Sequence, residues 1–209
     1  MIRASTPDRD ALAAAIADMA ANADMAAGPV TSGPAAGSPS GLGSGVGDVL
    51  DDEAQKAYAY VLRSTQQRPQ TQAEIALKLR RRDVDDVAAE AALRKAREVG
   101  AIDDRAFARA WVEDRGGTRG YGRARLRQEL RRRLVDDALI DEALVALDDR
   151  DDIAVATELA AQRARQYGQD VDPVKVARRL LGYLVRRGYP PALAQRAATA
   201  VTGLDRSWD

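Results

Sequence analysis

The sequence predicts an all-α protein of three tandem three-helix repeats, and three observations carry that prediction. The first is internal repetition. Leu79 to Leu93 reads LRRRDVDDVAAEAAL and Leu130 to Leu144 reads LRRRLVDDALIDEAL, an offset of 51 residues that also aligns Ile75 with Leu126, Tyr60 with Trp111 and Val61 with Val112. A weaker copy, LVRRGYPPALAQRAA, begins at Leu184, a further 54 residues on. Arginines, a turn valine, an Asp-Asp pair and the apolar spacing that follows recur together, the mark of a repeated supersecondary unit. The second observation is composition: one Phe, two Trp and six Tyr leave the core to Ala, Leu and Val, which suit closely packed helices. The third is periodicity, because no strand-length run alternates apolar and polar residues and no hairpin signal occurs.

Taken in order, residues 1–50 come first, dense in Gly, Ser and Pro, with SGPAAGSPSGLGSGVGD from Ser32 to Asp48. Such a segment buries too little apolar surface to offset its ordering entropy, so a disordered extension is predicted, transiently helical at most from Asp10 to Ala27. The glycines from Gly41 to Gly47 follow no strand and precede no Lys-Ser/Thr, and read as linker rather than a nucleotide loop.

Repeat 1 spans 51–102. Tyr58, Val61 and Leu62 line a first helix broken at Arg68-Pro69, and Thr71-Gln-Ala-Glu74 is a capping box that opens a second. Ile75 and Leu79 point inward. Arg80, Arg81 and Arg82 close that helix at the negative end of its dipole. Asp85 caps a third helix running to Val99, with Gly100 as its C-cap.

Repeat 2 spans 103–148. Phe107, Ala110 and Trp111 give its first helix an apolar face, and Gly116, Gly117, Gly120 and Gly122 predict a flexible connection anchored by Tyr121. In the helix from Arg123 to Arg133, Leu126, Leu130 and Leu134 form one stripe. A turn at Val135 and an N-cap at Asp136 lead to a helix that buries Leu139, Ile140, Ala143, Leu144 and Leu147.

Repeat 3 spans 149–209, after an acidic hinge from Asp148 to Asp152. Its first helix is expected to reach Tyr167 and Gly168. Asp172-Pro173 opens the second as N-cap and N1, with Val176, Leu180 and Leu184 inward. Pro190-Pro191 starts the last helix, carrying Leu193, Ala194, Ala197 and Val201, and the end of the chain is expected to fray unless Trp208 docks. A unit of ~50 residues is marginal alone, so neighbouring repeats should stabilise one another.

The chemistry points away from catalysis. With no cysteine and no histidine the chain lacks a thiol nucleophile and the commonest general base and metal ligand. There is no triad, Walker lysine or zinc spacing. The pairs Asp85-Asp86, Asp103-Asp104 and Asp136-Asp137 fall where helices need N-caps, which explains them without Mg²⁺. A non-enzyme without cofactor or metal is expected. No apolar run approaches the roughly 18 residues of a membrane span, and no h-region follows Arg3, so the expected location is the cytoplasm.

Net charge is zero, yet residues 1–53 carry −6 and the remainder +6, which suggests an acidic or polyanionic partner for the body. The cations concentrate between Arg115 and Arg133, eight arginines against Glu129 alone. Arg123, Arg127 and Arg131 form a row on one flank of their helix, with Arg125 and Arg132 on the other and Gln128 between. With Arg119 and Tyr121 before them, and the related Arg80, Arg81, Arg186 and Arg187, these are the candidate contact residues. The competing explanation is a solvated helix face. Composition does not separate DNA or RNA from an acidic protein surface as the ligand.

The run RGYGRARLRQELRRR, the upstream IDDRAFARAWV, the block AEIALKLRRRDVDDVAAEAALRKAREVGAIDD and the terminal RRLLGYLVRRGYPPALAQRA resemble, in that tandem order, the bacterial regulatory protein RecX family. The resemblance runs from about residue 54 to 204. It implies three winged-helix-like repeats in an elongated, curved module that lodges in the groove of the RecA filament on single-stranded DNA. It further implies restraint of RecA's ATPase, strand-exchange and coprotease activities, and in some members direct DNA binding. Tyr121-Gly122 and the helix from Arg123 match the family's central motif, which makes Leu126 and Leu130 structural and the arginines surface candidates. The family's Arg-Gly-aromatic turn is kept only at Gly188-Tyr189, whereas repeats 1 and 2 have Arg82-Asp83-Val84 and Arg133-Leu134-Val135. The expected protein is monomeric; the alternative is a RecA-independent DNA- or RNA-binding module.

Overall fold

The computed structural model describes residues 50–168 and 171–204. The predicted disorder of residues 1–49, the alanine-rich stretch within it and the docking of Trp208 fall outside the described residues.

Among the described residues there are nine α-helices and no strand. Repeat 1 holds α1 (Asp52–Gln67), α2 (Gln72–Arg80) and α3 (Asp86–Glu98). Repeat 2 holds α4 (Asp104–Val112), α5 (Arg123–Arg132) and α6 (Asp137–Leu144), and repeat 3 holds α7 (Asp152–Ala164), α8 (Pro173–Arg186) and α9 (Pro191–Thr202). The substantial helix–helix packing is all within repeats. Each set of three helices encloses its own apolar cluster, centred on Val61, Ile75 and Leu79, on Val112, Leu126, Leu130 and Ile140, and on Ala177, Leu180 and Leu184. These side chains are fully buried, each Val, Leu and Ile among them stabilising its repeat by roughly 1.5–3 kcal/mol.

The helix starts follow the predicted chemistry. Thr71 and Glu74 form a reciprocal capping box. Asp85, Asp103 and Asp136 each cap a helix by accepting from backbone N–H groups in its first turn. The first carboxylate of each Asp pair is therefore consumed as a cap.

The three second-to-third-helix turns share one geometry despite different sequences. Asp83, Leu134 and Gly188 all have positive φ, at 56°, 59° and 91°. Val84, Val135 and Tyr189 each donate back to the carbonyl five residues earlier, on Leu79, Leu130 and Leu184, at 3.2–3.3 Å. This is the Schellman closure, which places the left-handed residue just past the helix. Only Gly188 adopts that conformation without steric cost.

Three expectations are corrected. Leu134 does not extend the Leu126–Leu130 stripe: α5 ends at Arg132, and Leu134 turns outward, 48% exposed. The glycine-rich connection is not irregular throughout but begins as a π-helical turn, Glu113–Thr118, with Gly116 buried against Leu126 and Leu147. The segment from Asp148 to Asp152 is not a hinge, because Arg150 pins it to the carbonyls of Gly116 (2.6 Å) and Tyr121 (3.2 Å). In addition, α7 stops at Ala164, short of Tyr167.

Candidate partner-binding surface

Counting outward from each turn residue sorts the arginines by position. Three residues before it stand Arg80 and Arg131, and three after it stand Asp86 and Asp137. An antiparallel helix pair brings such symmetric positions together. Arg131 meets Asp137 with two bonds, 2.7 and 3.1 Å, and Arg80 lies 4.0 Å from Asp86. The hydrogen bond from Arg131 lowers the Asp137 pKa, and the same bond raises that of Arg131. Seven residues out from Leu134, Arg127 pairs with Asp141, and Arg123 pairs with Asp148. The row Arg123, Arg127 and Arg131 is thus matched by acids of its own repeat, where sequence had offered only Glu129. For Arg131 and Arg127, equal spacing on both sides of the turn was the legible signal.

The arginine immediately before each turn residue lies over aromatic rings. Arg82 lies 4.2 Å from the Tyr60 ring centre, Arg133 lies 5.4 and 5.6 Å from Trp111 and Phe107, and Arg187 lies 4.9 and 5.3 Å from Tyr183 and Tyr121. Burial lowers the Arg133 pKa, opposed by its ion pair with Glu74 at 3.1 Å. Burial alone would raise the Tyr60 pKa, but hydrogen bonds involving Arg82 and Ser64 bring it below its ordinary value.

Arg133 and Arg187 also join the repeats. At the joint between repeats 1 and 2 the Thr71 hydroxyl donates to the Arg133 carbonyl at 2.8 Å, and the Gln72 N–H donates to Asp104 at 2.8 Å. At the joint between repeats 2 and 3 the Gly122 N–H donates to the Arg187 carbonyl at 2.8 Å, Tyr189 donates to the Gly120 carbonyl at 2.9 Å, and Arg187 donates to the Arg119 carbonyl. Of the candidate contacts, Arg119, Tyr121, Arg125 and Arg187 therefore gather at this second joint. Arg125 lies 3.8 Å over Tyr121 and pairs with Glu129 at 2.9 Å, while Arg119 pairs with Asp114 at 3.5 Å. Glu129 also accepts from Arg115 and Trp111, at 3.0 and 3.2 Å.

The middle arginine of each turn, two residues before the left-handed position, differs from both neighbours. Arg81, Arg132 and Arg186 are exposed and have no side-chain hydrogen bond or ion pair among the described residues. No helix of the described residues is long and apolar enough to cross a membrane.

A family model described as RecX, second three-helix domain, matches residues 103–144, the stretch from Asp103 to the end of α6. The chain is 40% identical over 150 residues to the regulatory protein RecX of Streptomyces coelicolor, covering 72% of this chain and 79% of that protein. It is 39% identical over 146 residues to the regulatory protein RecX of Thermobifida fusca, covering 70% and 78%. In fold it is similar to the crystal structure of RecX from Lactobacillus salivarius, with a TM-score of 0.64 over 74% of this chain and 100% of that one, at 20% identity. A second crystal structure of a regulatory protein RecX matches with a TM-score of 0.61 at 25% identity, over 71% and 72%. With this identity extending over more than two thirds of its relatives' length, the chain belongs to the regulatory protein RecX family.

Proposed function

We propose that this protein is a non-enzymatic, monomeric regulator that binds the RecA filament on single-stranded DNA in the cytoplasm. By occupying the filament it restrains RecA's ATPase, strand-exchange and coprotease activities. The observation that carries this reading is the 40% identity over 150 residues to a protein named for regulation. The repeats, bounded at 51–102, 103–148 and 149–209, act as three linked contact modules. Among the candidate arginines, those already matched by acids of the chain serve mainly to hold the fold, which leaves the exposed, unmatched ones for the partner.

The second reading is a module that grips DNA or RNA through α5 without RecA, and the density of arginines from Arg115 to Arg133 is what favours it. Against it, phosphates would have to compete with Asp137, Asp141 and Asp148 for Arg131, Arg127 and Arg123.

The test is a titration of RecA's ATPase on single-stranded DNA, with binding to the same DNA measured in one buffer. The expected result is progressive inhibition at a salt concentration where binding to free DNA is negligible. Inhibition that merely tracks occupancy of the free DNA would favour the second reading, and unaltered ATPase at high protein excess would contradict the first.

A further inference from the structure

We infer that partner contact is made by one arginine per repeat, Arg81, Arg132 and Arg186, each with an exposed aliphatic residue close by in sequence, and that the surface it fits is an acidic protein surface. The inference deepens the proposed function and rests on it, naming the RecA filament's own protein surface rather than its DNA as what is gripped.

The three positions are equivalent under the repeat, and in each the same separation of tasks holds. The arginine before is paired across the hairpin in repeats 1 and 2 (Arg80, Arg131) and replaced by Val185 in repeat 3; the arginine after is stacked at a joint or on Tyr60. Only the middle one is both exposed and, among the described residues, without an internal partner in all three copies. An unmatched guanidinium recurring at one register position offers a periodic set of planar donors suited to carboxylates.

One feature favours protein over phosphodiester. Each arginine has an exposed aliphatic residue within four positions in sequence: Leu77 at 41% exposure, Leu134 at 48% and Val185 at 41%. Arginine beside aliphatic surface is the composition of protein interfaces. Leu134 carries the stronger signal, because a leucine held at φ 59° and left 48% exposed costs backbone strain for only partial internal packing.

The experiment uses the full chain with Arg81, Arg132 and Arg186 changed to Gln, singly and together, and separately Leu134→Gly. Affinity is measured for RecA filaments locked on single-stranded DNA by a non-hydrolysable ATP analogue, and for the same DNA alone. Each single arginine change should weaken filament binding about fivefold and the three together about a hundredfold, with melting temperature and binding to bare DNA unchanged. Leu134→Gly should raise the melting temperature while weakening filament binding, a combination that a purely structural residue would not give. Filament binding unchanged in the triple variant or in Leu134→Gly overturns the inference. A triple variant that loses bare-DNA affinity equally, with a shallower salt dependence, overturns it in favour of phosphate contacts. Wild-type protein that fails to bind the filament at all removes the proposed function itself, and this inference falls with it.

Discussion

The two joints perform the same task with different chemistry. In both, the N-cap of one repeat's second helix donates to the carbonyl of the next repeat's turn arginine. At the first joint the donor is the side chain of Thr71; at the second it is the backbone of Gly122. Thr71 keeps the repeats one side chain apart and can still cap α2 with the same hydroxyl. Gly122 leaves α5 without a side-chain cap and lets two backbones touch, since a Cβ on Gly122 would overlap the Gly188 carbonyl and one on Gly188 would overlap the backbone of Arg125. A joint built from side chains should tolerate substitution, whereas one built from backbone approach should not.

The largest expected effect breaks the second joint. Gly122→Ala or Gly188→Ala should cost about 3 kcal/mol, seen as a lower melting temperature and, by hydrogen exchange, as repeat 3 opening separately from repeat 2. At the first joint, Arg133→Ala should cost less, about 1–2 kcal/mol in denaturant unfolding. The Arg133 and Glu74 side chains are 20% and 19% exposed, so solvent screens part of the loss. Equal costs at the two joints would refute the distinction.

A pH series sharpens the first joint further. Burial raises the Asp104 pKa, partly offset by the bond it accepts from the Gln72 N–H. With the folded value above the unfolded 3.8, its proton contributes stability that is fully present below that value and lost as pH rises through the folded pKa. Wild type should therefore lose stability relative to Asp104→Asn as pH rises through this window, as measured by melting temperature. An opposite slope would show that the bond to Gln72 outweighs desolvation.

The helix boundaries, caps and buried stripes were legible because each rests on local chemistry: Thr71 with Glu74, Asp85, Asp136, and Leu126 with Leu130. The joints were not, since they depend on contacts between residues 32 to 69 positions apart, such as Gln72 with Asp104 or Tyr189 with Gly120. The glycines from Gly116 to Gly122 looked like a mobile loop because close backbone approach and flexibility ask for the same residue. The arginine face was half legible: sequence located it, but the acids that match Arg123, Arg127 and Arg131 come from across the hairpin.

The smallest expected effects concern the turns shared by all repeats. Leu134→Gly and Asp83→Gly should each stabilise the fold by about 0.5–1 kcal/mol, with the smaller gain at Asp83, since Asp tolerates the left-handed region better than Leu. A loss of stability at Leu134 would mean that its side chain packs more than its exposure indicates.

The claim that the turn arginines divide into holding and contacting positions is tested most directly by one comparison. RecA's ATPase on single-stranded DNA is titrated with wild type, Arg132→Gln and Arg127→Gln, well below the melting temperature of each. The account predicts that Arg132→Gln needs about fivefold more protein for half-inhibition, while Arg127→Gln, whose guanidinium is already held by Asp141, follows wild type. A larger shift for Arg127→Gln than for Arg132→Gln would contradict it.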